Sequence, residues 1–340
     1  MSRYQTDKDG FVSVEEAPIE VYGVYKENGL YVRMPSDAAE KVGVRVSELN
    51  RCSAGGMIRF RTNAECVTLR ARQPVFEPLG MGAAGYALFG FDWYEGTTFH
   101  SVLRPPYPVE DFEMRFKPWR KPTEDGFRDY TVYMPLHGAY HDISIRPEDG
   151  AELLPCTPFR NEKPVVFYGS SVTQGYCASR PGMIYSNIIS RSLNMNIRNL
   201  GFAGSAKGEP AMADYIASCD MAAFVMDYEY NSYPDEELAE RHEPFFKKVR
   251  AAHPDLPIVI VSSLPRLDAW EDKAVRNAIV RKTYENAVAA GDKNVYYLRG
   301  ADFFTDAPAD ECLADGLHPN DMGMYYMYKG MRDTLDRIVK

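Results

Sequence analysis

The 340-residue sequence predicts an α/β protein whose two parts differ in architecture. Up to about residue 158, apolar and polar side chains alternate, which is typical of strands with one buried face. Beyond that point, continuous apolar runs are separated by amphipathic segments, as in parallel strands that helices cover on both faces. We therefore expect an antiparallel β-sandwich (jelly roll) over residues 1–158 and a three-layer α/β/α domain over residues 159–340.

In the first part the alternation is clearest at residues 58–61, where Ile58 and Phe60 alternate with two arginines. Turn-forming residues lie between the alternating segments, so we expect several short strands paired in antiparallel sheets. The exception is a short helix between Pro35 and Leu49. The same alternation recurs at residues 67–71, 112–116 and 130–134.

The second part contains five apolar runs, which predict a five-stranded parallel sheet. Helices are expected between the runs, at about 235–253 and 272–290. A last helix follows Asn320, a residue type that commonly caps helix N-termini. The five runs are residues 165–168, 196–200, 221–226, 258–261 and 294–298. The spacing of the last helix predicts that it turns four side chains inward: Tyr325, Tyr328, Met331 and Leu335.

The charge and composition of the chain limit the kinds of molecule that it is expected to bind. A net charge of −9 and a pI near 5.3 argue against nucleic acid and anionic membranes, whose phosphates attract basic surfaces. No apolar run approaches the roughly 18–20 residues that span a bilayer, and the N-terminus has no apolar signal core. We expect a cytoplasmic protein, although a leader already removed would leave the same sequence. A homo-oligomer is compatible with this composition, and the sequence leaves the oligomeric state open.

The six cysteines are scattered, without a Cys-x-x-Cys pair. Neither a disulfide framework nor a zinc site is expected from such spacing, and reduced, buried thiols are the simpler interpretation. The sequence therefore predicts no metal and no cofactor.

A serine follows the first buried strand of the second part. Gly169 permits a tight turn and a close backbone approach, and Ser171 comes where a helix would begin. The pattern is Gly-x-Ser-x-Thr, unlike the Gly-x-Ser-x-Gly elbow of α/β-hydrolases, and no Lys follows as in a phosphate-binding loop. Taken alone, a serine pair that only caps a helix explains this segment equally well.

Asp315 and His318 add to that serine an acid and a base three residues apart. This spacing lets the carboxylate hold the imidazole while the other ring nitrogen accepts the serine proton. An ordinary Asp-Gly turn beside a surface histidine is the alternative. Two further strand ends, at Gly204 and at Asn231, offer a backbone N–H and a side-chain amide for a developing oxyanion. A turn glycine and a capping asparagine are the simpler alternatives there.

These four segments, in this order, resemble the four sequence blocks of the SGNH (GDSL-type) hydrolase superfamily. The resemblance implies a flavodoxin-like SGNH fold, with Ser171 as nucleophile and Asp315 and His318 as the acid–base pair. It also implies that the N–H groups of Ser171 and Gly204 and the side chain of Asn231 form the oxyanion hole. Two residues depart from the family pattern: Ser170 replaces an aspartate, and Glu229 replaces a glycine near Asn231.

The first part also resembles a known family. Residues 90–94 (Gly-Phe-Asp-Trp-Tyr) look like the Gly-x-Asp-Leu-Tyr signature of β-sandwich domains that precede certain SGNH esterases. Residues 177–182 and 207–210 look like neighbouring features of the same subgroup. Members of such two-domain arrangements are often deacetylases of carbohydrate or small-molecule esters, which is what the resemblance implies here.

The expected function is hydrolysis of a short acyl ester, acetyl first, of a sugar or another small polar molecule through an acyl-enzyme. An acyltransferase that uses the same acyl-enzyme is the alternative, and a glycan-binding pseudoenzyme is a third hypothesis. The partner is therefore a small-molecule or oligosaccharide ester. A long-chain lipase is disfavoured because no apolar lid segment flanks the serine. Three residues are candidates for substrate contact: Arg180, Glu229 and Trp270.

Overall fold

A computed structural model describes residues 4–73, 83–105, 109–119, 122, 124–265, 267 and 273–340. Its N-terminal part is built of short strands and its C-terminal part alternates strands with helices. The N-terminal strands are β1 (Val12–Ser13), β2 (Glu20–Tyr22), β3 (Tyr25–Glu27), β4 (Leu30–Val32), β5 (Met57–Thr62), β6 (Val67–Arg72), β7 (Phe91–Glu95), β8 (Thr98–Leu103), β9 (Asp111–Phe116), β10 (Arg128–Tyr133), β11 (Ile143–Pro147) and β12 (Leu153–Leu154). The helices of this part are α1 (Ser36–Val42), α2 (Val44–Leu49) and α3 (Gly85–Phe89).

Most of these strands form the predicted antiparallel sandwich, and β3 and β4 pair with each other in a separate two-stranded sheet. One sheet has the order β1-β11-β6-β9, and the other has the order β12-β5-β10-β7-β8, with β2 also paired to β5. The core between the sheets is aromatic. Trp93 stacks on Phe116 with ring centroids 4.2 Å apart, and Phe60 and Tyr130 meet Trp93 edge-on. Large apolar rings fill the space between two sheets with few rotatable bonds, which explains the aromatic richness of this part of the sequence.

The C-terminal part is the predicted three-layer α/β/α arrangement around a parallel sheet of five strands. The strand order is β14-β13-β15-β16-β17, the 2-1-3-4-5 order of flavodoxin-like sheets. The strands are β13 (Val165–Gly169), β14 (Ile197–Gly201), β15 (Ala223–Asp227), β16 (Ile258–Val261) and β17 (Val295–Leu298). The helices are α4 (Ser171–Gln174), α5 (Tyr185–Leu193), α6 (Pro210–Ser218), α7 (Asp235–Ala252), α8 (Lys273–Ala289), α9 (Ala309–Cys312) and α10 (Asp321–Ile338).

One sheet of the sandwich is covered on both of its faces. Strand β6 alternates buried and partly exposed residues as predicted, but β5 and β7 are buried at almost every position. The second face of their sheet lies against the α/β/α part. There Met57, Tyr94 and Tyr133 share a hydrophobic cluster with Phe167 and Ile184. Docking of the two parts therefore explains why Trp93 and its neighbour Tyr94 are both buried.

The short helix expected between Pro35 and Leu49 is present as two consecutive helices, α1 and α2. Both pack away from the sandwich, because Leu49 shares a cluster with Tyr168 and Leu200 on the far face of the parallel sheet. Arg33, just before α1, is fully buried and donates hydrogen bonds to the backbone oxygens of Gly201 at 2.5 Å and of Leu49 at 2.6 Å. The first part of the chain thus supports the end of strand β14.

The cap of α10 is as predicted: the Asn320 side chain accepts hydrogen bonds from the Met322 and Gly323 N–H groups. The prediction that Tyr325 faces inward is wrong, because its side chain is half exposed. The other three predictions hold: Met331 and Leu335 are buried, and Tyr328 is partly buried. The inward face of the first turns is formed by methionines, whose flexible side chains fill irregular gaps. Within the described residues, no helix combines the length and the apolar character needed to cross a bilayer.

Candidate active site

The first three strands of the parallel sheet end at one level. Gly169 at the end of β13 pairs with Gly201 of β14 and with Asp227 of β15. Because aligned parallel strands deliver their following residues to one edge, the segments after these three positions share a rim. This rim includes the point where the strand order reverses, which is where open α/β sheets commonly bind ligands.

Gly169 and Ser170 shape the turn that carries Ser171. A Cβ at Gly169 would lie 2.3 Å from the backbone oxygen of Asp227, so the expected close backbone approach is present and excludes larger residues. Ser170 caps α4, and its hydroxyl accepts a hydrogen bond from the Val172 N–H at 3.2 Å. Ser171 is the first residue of this short helix and is partly exposed at the rim.

Ser171, His318 and Asp315 form one hydrogen-bonded chain. Ser171 Oγ lies 2.9 Å from His318 Nε2, and His318 Nδ1 lies 2.7 Å from Asp315 Oδ2. Asp315 Oδ1 accepts the backbone N–H groups of Leu317 at 3.0 Å and of His318 at 2.7 Å. Burial opposes ionisation of Asp315, but these hydrogen bonds outweigh it and lower the pKa of the carboxyl. The ionised carboxylate favours the ring tautomer in which Nε2 can accept a proton from the serine.

Gly204 and Asn231 line the same cavity as Ser171 and His318, and the volume of this cavity is about 450 Å³. Gly204 has a φ of +69°, a left-handed conformation that favours glycine. Asn231 ends the short 3₁₀ helix Glu229–Asn231, and within the described part of the chain its Oδ1 is buried without a hydrogen-bond partner. The other lining residues are Val172, Tyr176, Ala203, Tyr230, Tyr233 and Leu317.

Gln174 connects the helix of Ser171 to the loop that carries Gly204. Its side-chain oxygen accepts the Ala203 N–H at 2.9 Å, and its side-chain nitrogen lies 3.1 Å from His137 Nδ1. Burial, assisted by the charge of Arg33, lowers the pKa of His137 to about 4, so this imidazole is neutral and accepts from Gln174. A residue of the sandwich thereby holds the loop beside the cavity.

Asp227 anchors a buried network behind Ser171. Its Oδ2 accepts hydrogen bonds from Thr173 Oγ1 at 3.2 Å and from the Tyr185 hydroxyl at 3.1 Å. Burial raises the pKa of Asp227 to about 7, and the two donors only partly offset that effect. The side chain thus titrates near neutrality while hydrogen-bonded to Thr173, which lies in the same short helix as Ser171.

Two of the expected substrate contacts, Arg180 and Glu229, lie outside the lining of the cavity. Arg180 does not line the cavity: its guanidinium lies 2.7 Å from Asp92 Oδ2 and 2.6 Å from the Tyr94 hydroxyl, between the two parts of the molecule. Glu229 is buried below the rim, and its backbone oxygen accepts a hydrogen bond from Arg276. Nearness in sequence to Ser171 and Asn231 suggested both residues, but neither is among the residues that line the cavity. The third candidate, Trp270, lies outside the described residues.

Sequence reasoning missed the three tyrosines of the cavity. Tyr176 packs edge-on against the His318 ring with centroids 4.6 Å apart, Tyr230 accepts the Leu264 N–H at 2.7 Å, and Tyr233 is partly exposed. All three lie within five residues of Ser171 or Asn231 along the chain. That proximity was the available signal, because residues next to a motif commonly form the walls of its pocket.

The flavodoxin-like sheet and the serine–histidine–aspartate chain at its rim are the features that define the SGNH/GDSL fold class. The chain belongs to the GDSL-like lipase/acylhydrolase family, whose model matches residues 162–339. Residues 10–153 match the model described as the N-terminus of Esterase_SGNH_hydro-type, named GxDLY. The resemblance inferred from the sequence is therefore confirmed for both parts.

Solved structures of other proteins share the two-part architecture. A crystal structure described as that of a GDSL-like lipase from Bacteroides ovatus has 27% identity and a TM-score of 0.83, and the match covers 96% of this chain and 97% of that one. The salicylyl-acyltransferase SsfX3 from a tetracycline biosynthetic pathway has 18% identity, a TM-score of 0.78 and full coverage of both chains. The acetyl xylan esterase Est2A from the rumen bacterium Butyrivibrio proteoclasticus has 13% identity and a TM-score of 0.63, with 99% and 98% coverage. The last two likenesses show the fold alone. None of the curated proteins matches the chain in sequence.

Proposed function

We propose that this protein is a serine esterase that hydrolyses short acyl esters, acetyl esters first, of carbohydrates or other small polar molecules. The observation that carries the proposal is the 2.9 Å contact between Ser171 Oγ and His318 Nε2, continued at 2.7 Å to Asp315. An isolated serine hydroxyl is a poor nucleophile at neutral pH. A base within hydrogen-bond reach, itself oriented by a carboxylate, is what activates it.

The reaction follows from these contacts. Ser171 Oγ attacks the ester carbonyl while His318 Nε2 takes its proton, and Asp315 stabilises the imidazolium that forms. The N–H groups of Ser171 and Gly204 and the side chain of Asn231 donate to the oxyanion. Collapse of the tetrahedral intermediate breaks the bond to the alcohol oxygen, which receives the proton from His318. Water, deprotonated by His318, then attacks the acyl-enzyme and releases the acid and free Ser171.

The walls of the cavity favour an uncharged substrate. Besides His318, the lining residues that the structure describes are small, apolar, tyrosine, serine or asparagine, and none of these is a lysine, arginine, aspartate or glutamate. A volume of about 450 Å³ exceeds what an acetyl group fills, so a ring of the alcohol portion has room beside the tyrosines. Tyrosine faces with hydroxyl edges suit a sugar ring, which has apolar faces and polar rims. The shared fold with an acetyl xylan esterase supports this substrate class.

Acyl transfer to another acceptor is the second candidate. The whole-chain likeness to a salicylyl-acyltransferase supports it, as do the apolar walls formed by Val172, Leu317 and the tyrosines. A drier cavity favours an acceptor alcohol over water in attack on the acyl-enzyme. The two reactions differ in their products: free acid for hydrolysis, and a new ester for transfer.

The test is release of acid from p-nitrophenyl acetate and from acetylated oligosaccharides by the wild type and by Ser171→Ala. Removing the nucleophile should lower kcat by at least about 1,000-fold. Ser218→Ala, an exposed serine whose hydroxyl donates to the Tyr215 backbone oxygen, is the matched control and should keep full activity. Equal rates for the wild type and Ser171→Ala would refute the proposal. Oligosaccharide binding without acid release by the wild type would instead favour a glycan-binding pseudoenzyme.

Adding an acceptor alcohol to the same assay separates the two candidates. Hydrolysis predicts that acid release accounts for all of the p-nitrophenol formed, whatever the acceptor concentration. Transfer predicts that acid release falls as the new ester appears.

A further inference from the structure

Cys177 is a nucleophilic group that the proposed reaction does not use, and it lies beside two residues that the reaction needs. Its Sγ, a carboxylate oxygen of Asp315 and a ring nitrogen of His318 all lie within 4.8 Å of one another. The other five cysteines are buried, whereas Cys177 is partly exposed. Thiolate, imidazole and carboxylate are the three ligand types that proteins use for zinc.

Residues on both sides of Cys177 in the sequence hold it in place. Before it, the Tyr176 ring packs on the His318 ring at 4.6 Å. After it, the Ser179 N–H and hydroxyl donate to the two oxygens of Asp321, at 2.8 Å and 2.5 Å. Cys177 itself has a φ of +68°, which residues other than glycine rarely adopt. These contacts hold residues 176–179 against His318 and the start of α10, and they keep the thiol next to Asp315 and His318.

We propose that Cys177, Asp315 and His318 form an inhibitory binding site for Zn²⁺. In tetrahedral zinc sites, bonds of about 2.0–2.3 Å separate the ligand atoms by about 3.3–3.6 Å, so small side-chain rotations bring these three atoms onto one ion. A thiolate and a carboxylate together balance the charge of the ion. The fourth position is left for water, because Asp315 is half exposed and the ion can enter from that side.

Binding at this site stops the proposed reaction. A metal on His318 and Asp315 replaces the hydrogen bond that orients the imidazole, and the base is no longer available to Ser171. Mg²⁺ is not expected to bind, because it prefers oxygen ligands and near-octahedral geometry.

Zinc binding at this site releases one proton. The carboxylate is already ionised and the imidazole binds in its neutral form, so the thiol proton is the one released to solvent. Burial, assisted by the charge of Asp315, raises the pKa of Cys177 to about 11, so without a bound metal the thiol is protonated at neutral pH. A bound metal deprotonates its thiol ligand, so zinc affinity should rise with pH.

Zinc binding is measured directly, by competition with a chromophoric chelator in a zinc-buffered solution, and does not depend on activity. The wild type and Ser171→Ala should each bind one zinc ion per chain at this site. Cys177→Ser should weaken that binding by at least about tenfold, because loss of a ligand costs at least as much as loss of a residue that orients one. Cys219→Ser removes a buried thiol elsewhere in the molecule and should leave zinc binding unchanged.

A second arm measures ester hydrolysis at increasing Zn²⁺. The zinc concentration for half-inhibition should rise at least about tenfold in Cys177→Ser, and Mg²⁺ should not inhibit at concentrations far above those of zinc. Equal zinc affinity in Cys177→Ser and the wild type would overturn the proposal, as would a wild type that binds no zinc. If the protein proves not to be an esterase, the chelator competition with Ser171→Ala and Cys177→Ser still decides whether this site binds zinc.

Discussion

Asp92, in the sandwich, and Arg180, in the α/β/α part, form an ion pair across the contact between the two. Asp92 is fully buried, and its Oδ2 accepts both Arg180 Nη1 and the Gly182 N–H at 2.7 Å. Burial raises the pKa of Asp92, and the guanidinium and the N–H oppose that rise by stabilising the carboxylate. The aspartate of the Gly-Phe-Asp-Trp-Tyr signature therefore holds the segment that follows Ser171 and Cys177.

Asp92→Asn should destabilise the protein by about 2–3 kcal/mol, because a mostly buried guanidinium would lose its charged partner. If the pair also positions the segment after Ser171, kcat should fall more than KM rises. Urea unfolding midpoints and steady-state kinetics measure the two effects. Asp142→Asn is the control: it removes an exposed partner of Lys26 and should cost less than about 1 kcal/mol. An Asp92→Asn variant as stable as the wild type would show that the pair does not join the two parts.

Asn231→Ala should lower kcat by about 100- to 1,000-fold and change KM little, because an oxyanion donor acts mainly in the transition state. Its buried Oδ1 has no partner within the described part of the chain, so truncation removes few ground-state contacts. Ser232→Ala, one residue further along the chain and also buried, tests for local disruption. Equal losses in both variants would mean that the rim had collapsed rather than that a donor was lost.

Gln174→Met should leave the Ala203 N–H without its acceptor and cost about 1–3 kcal/mol of stability. The Gly204 loop would then be less well positioned, and kcat should fall by about tenfold at nearly constant KM. Gln174→Glu keeps an acceptor oxygen for the Ala203 N–H, so it should recover part of the lost kcat. Steady-state kinetics of the three proteins decide this. If Gln174→Met keeps the wild-type kcat, the loop does not depend on Gln174.

Asp227→Asn should change how stability depends on pH. The pKa of Asp227 is raised by burial to about 7, whereas an unfolded aspartate titrates near 3.9. Between these values the folded protein keeps a proton that the unfolded chain releases, so this residue lowers stability as pH rises from about 4 to about 7. Asparagine still accepts from Thr173 and Tyr185 but does not titrate. The variant should therefore gain stability relative to the wild type on going from about pH 5 to about pH 8.

Urea unfolding midpoints at several pH values measure that difference. Groups whose pKa is lowered in the folded state, such as Asp315, give the opposite slope, but they are present in both proteins and cancel. A difference between the two proteins that does not change with pH would contradict the predicted titration.

Much of the site could be predicted because its residues follow recognisable strand ends. The run before Gly169 has to be a buried strand, and residues after aligned parallel strands share an edge, so Ser171, Gly204 and Asn231 line one cavity. The three-residue spacing of Asp315 and His318 is local and needs no tertiary information to bring carboxylate and imidazole together. By contrast, Arg180 and Glu229 were assigned from nearness in sequence, which does not specify where a side chain points.

By itself, the sequence determined the layers, the strand and helix order, and the residue types at the rim, because hydrophobic periodicity and turn chemistry are local properties. Only the tertiary structure decided how the sandwich meets the parallel sheet. That docking brings three pairs of residues into hydrogen-bonding contact: Asp92 with Arg180, Arg33 with Gly201, and His137 with Gln174. It depends on shape and on burial of surfaces far apart in the chain. For the same reason, the spacing of the cysteines along the sequence could not show that Cys177 lies beside Asp315.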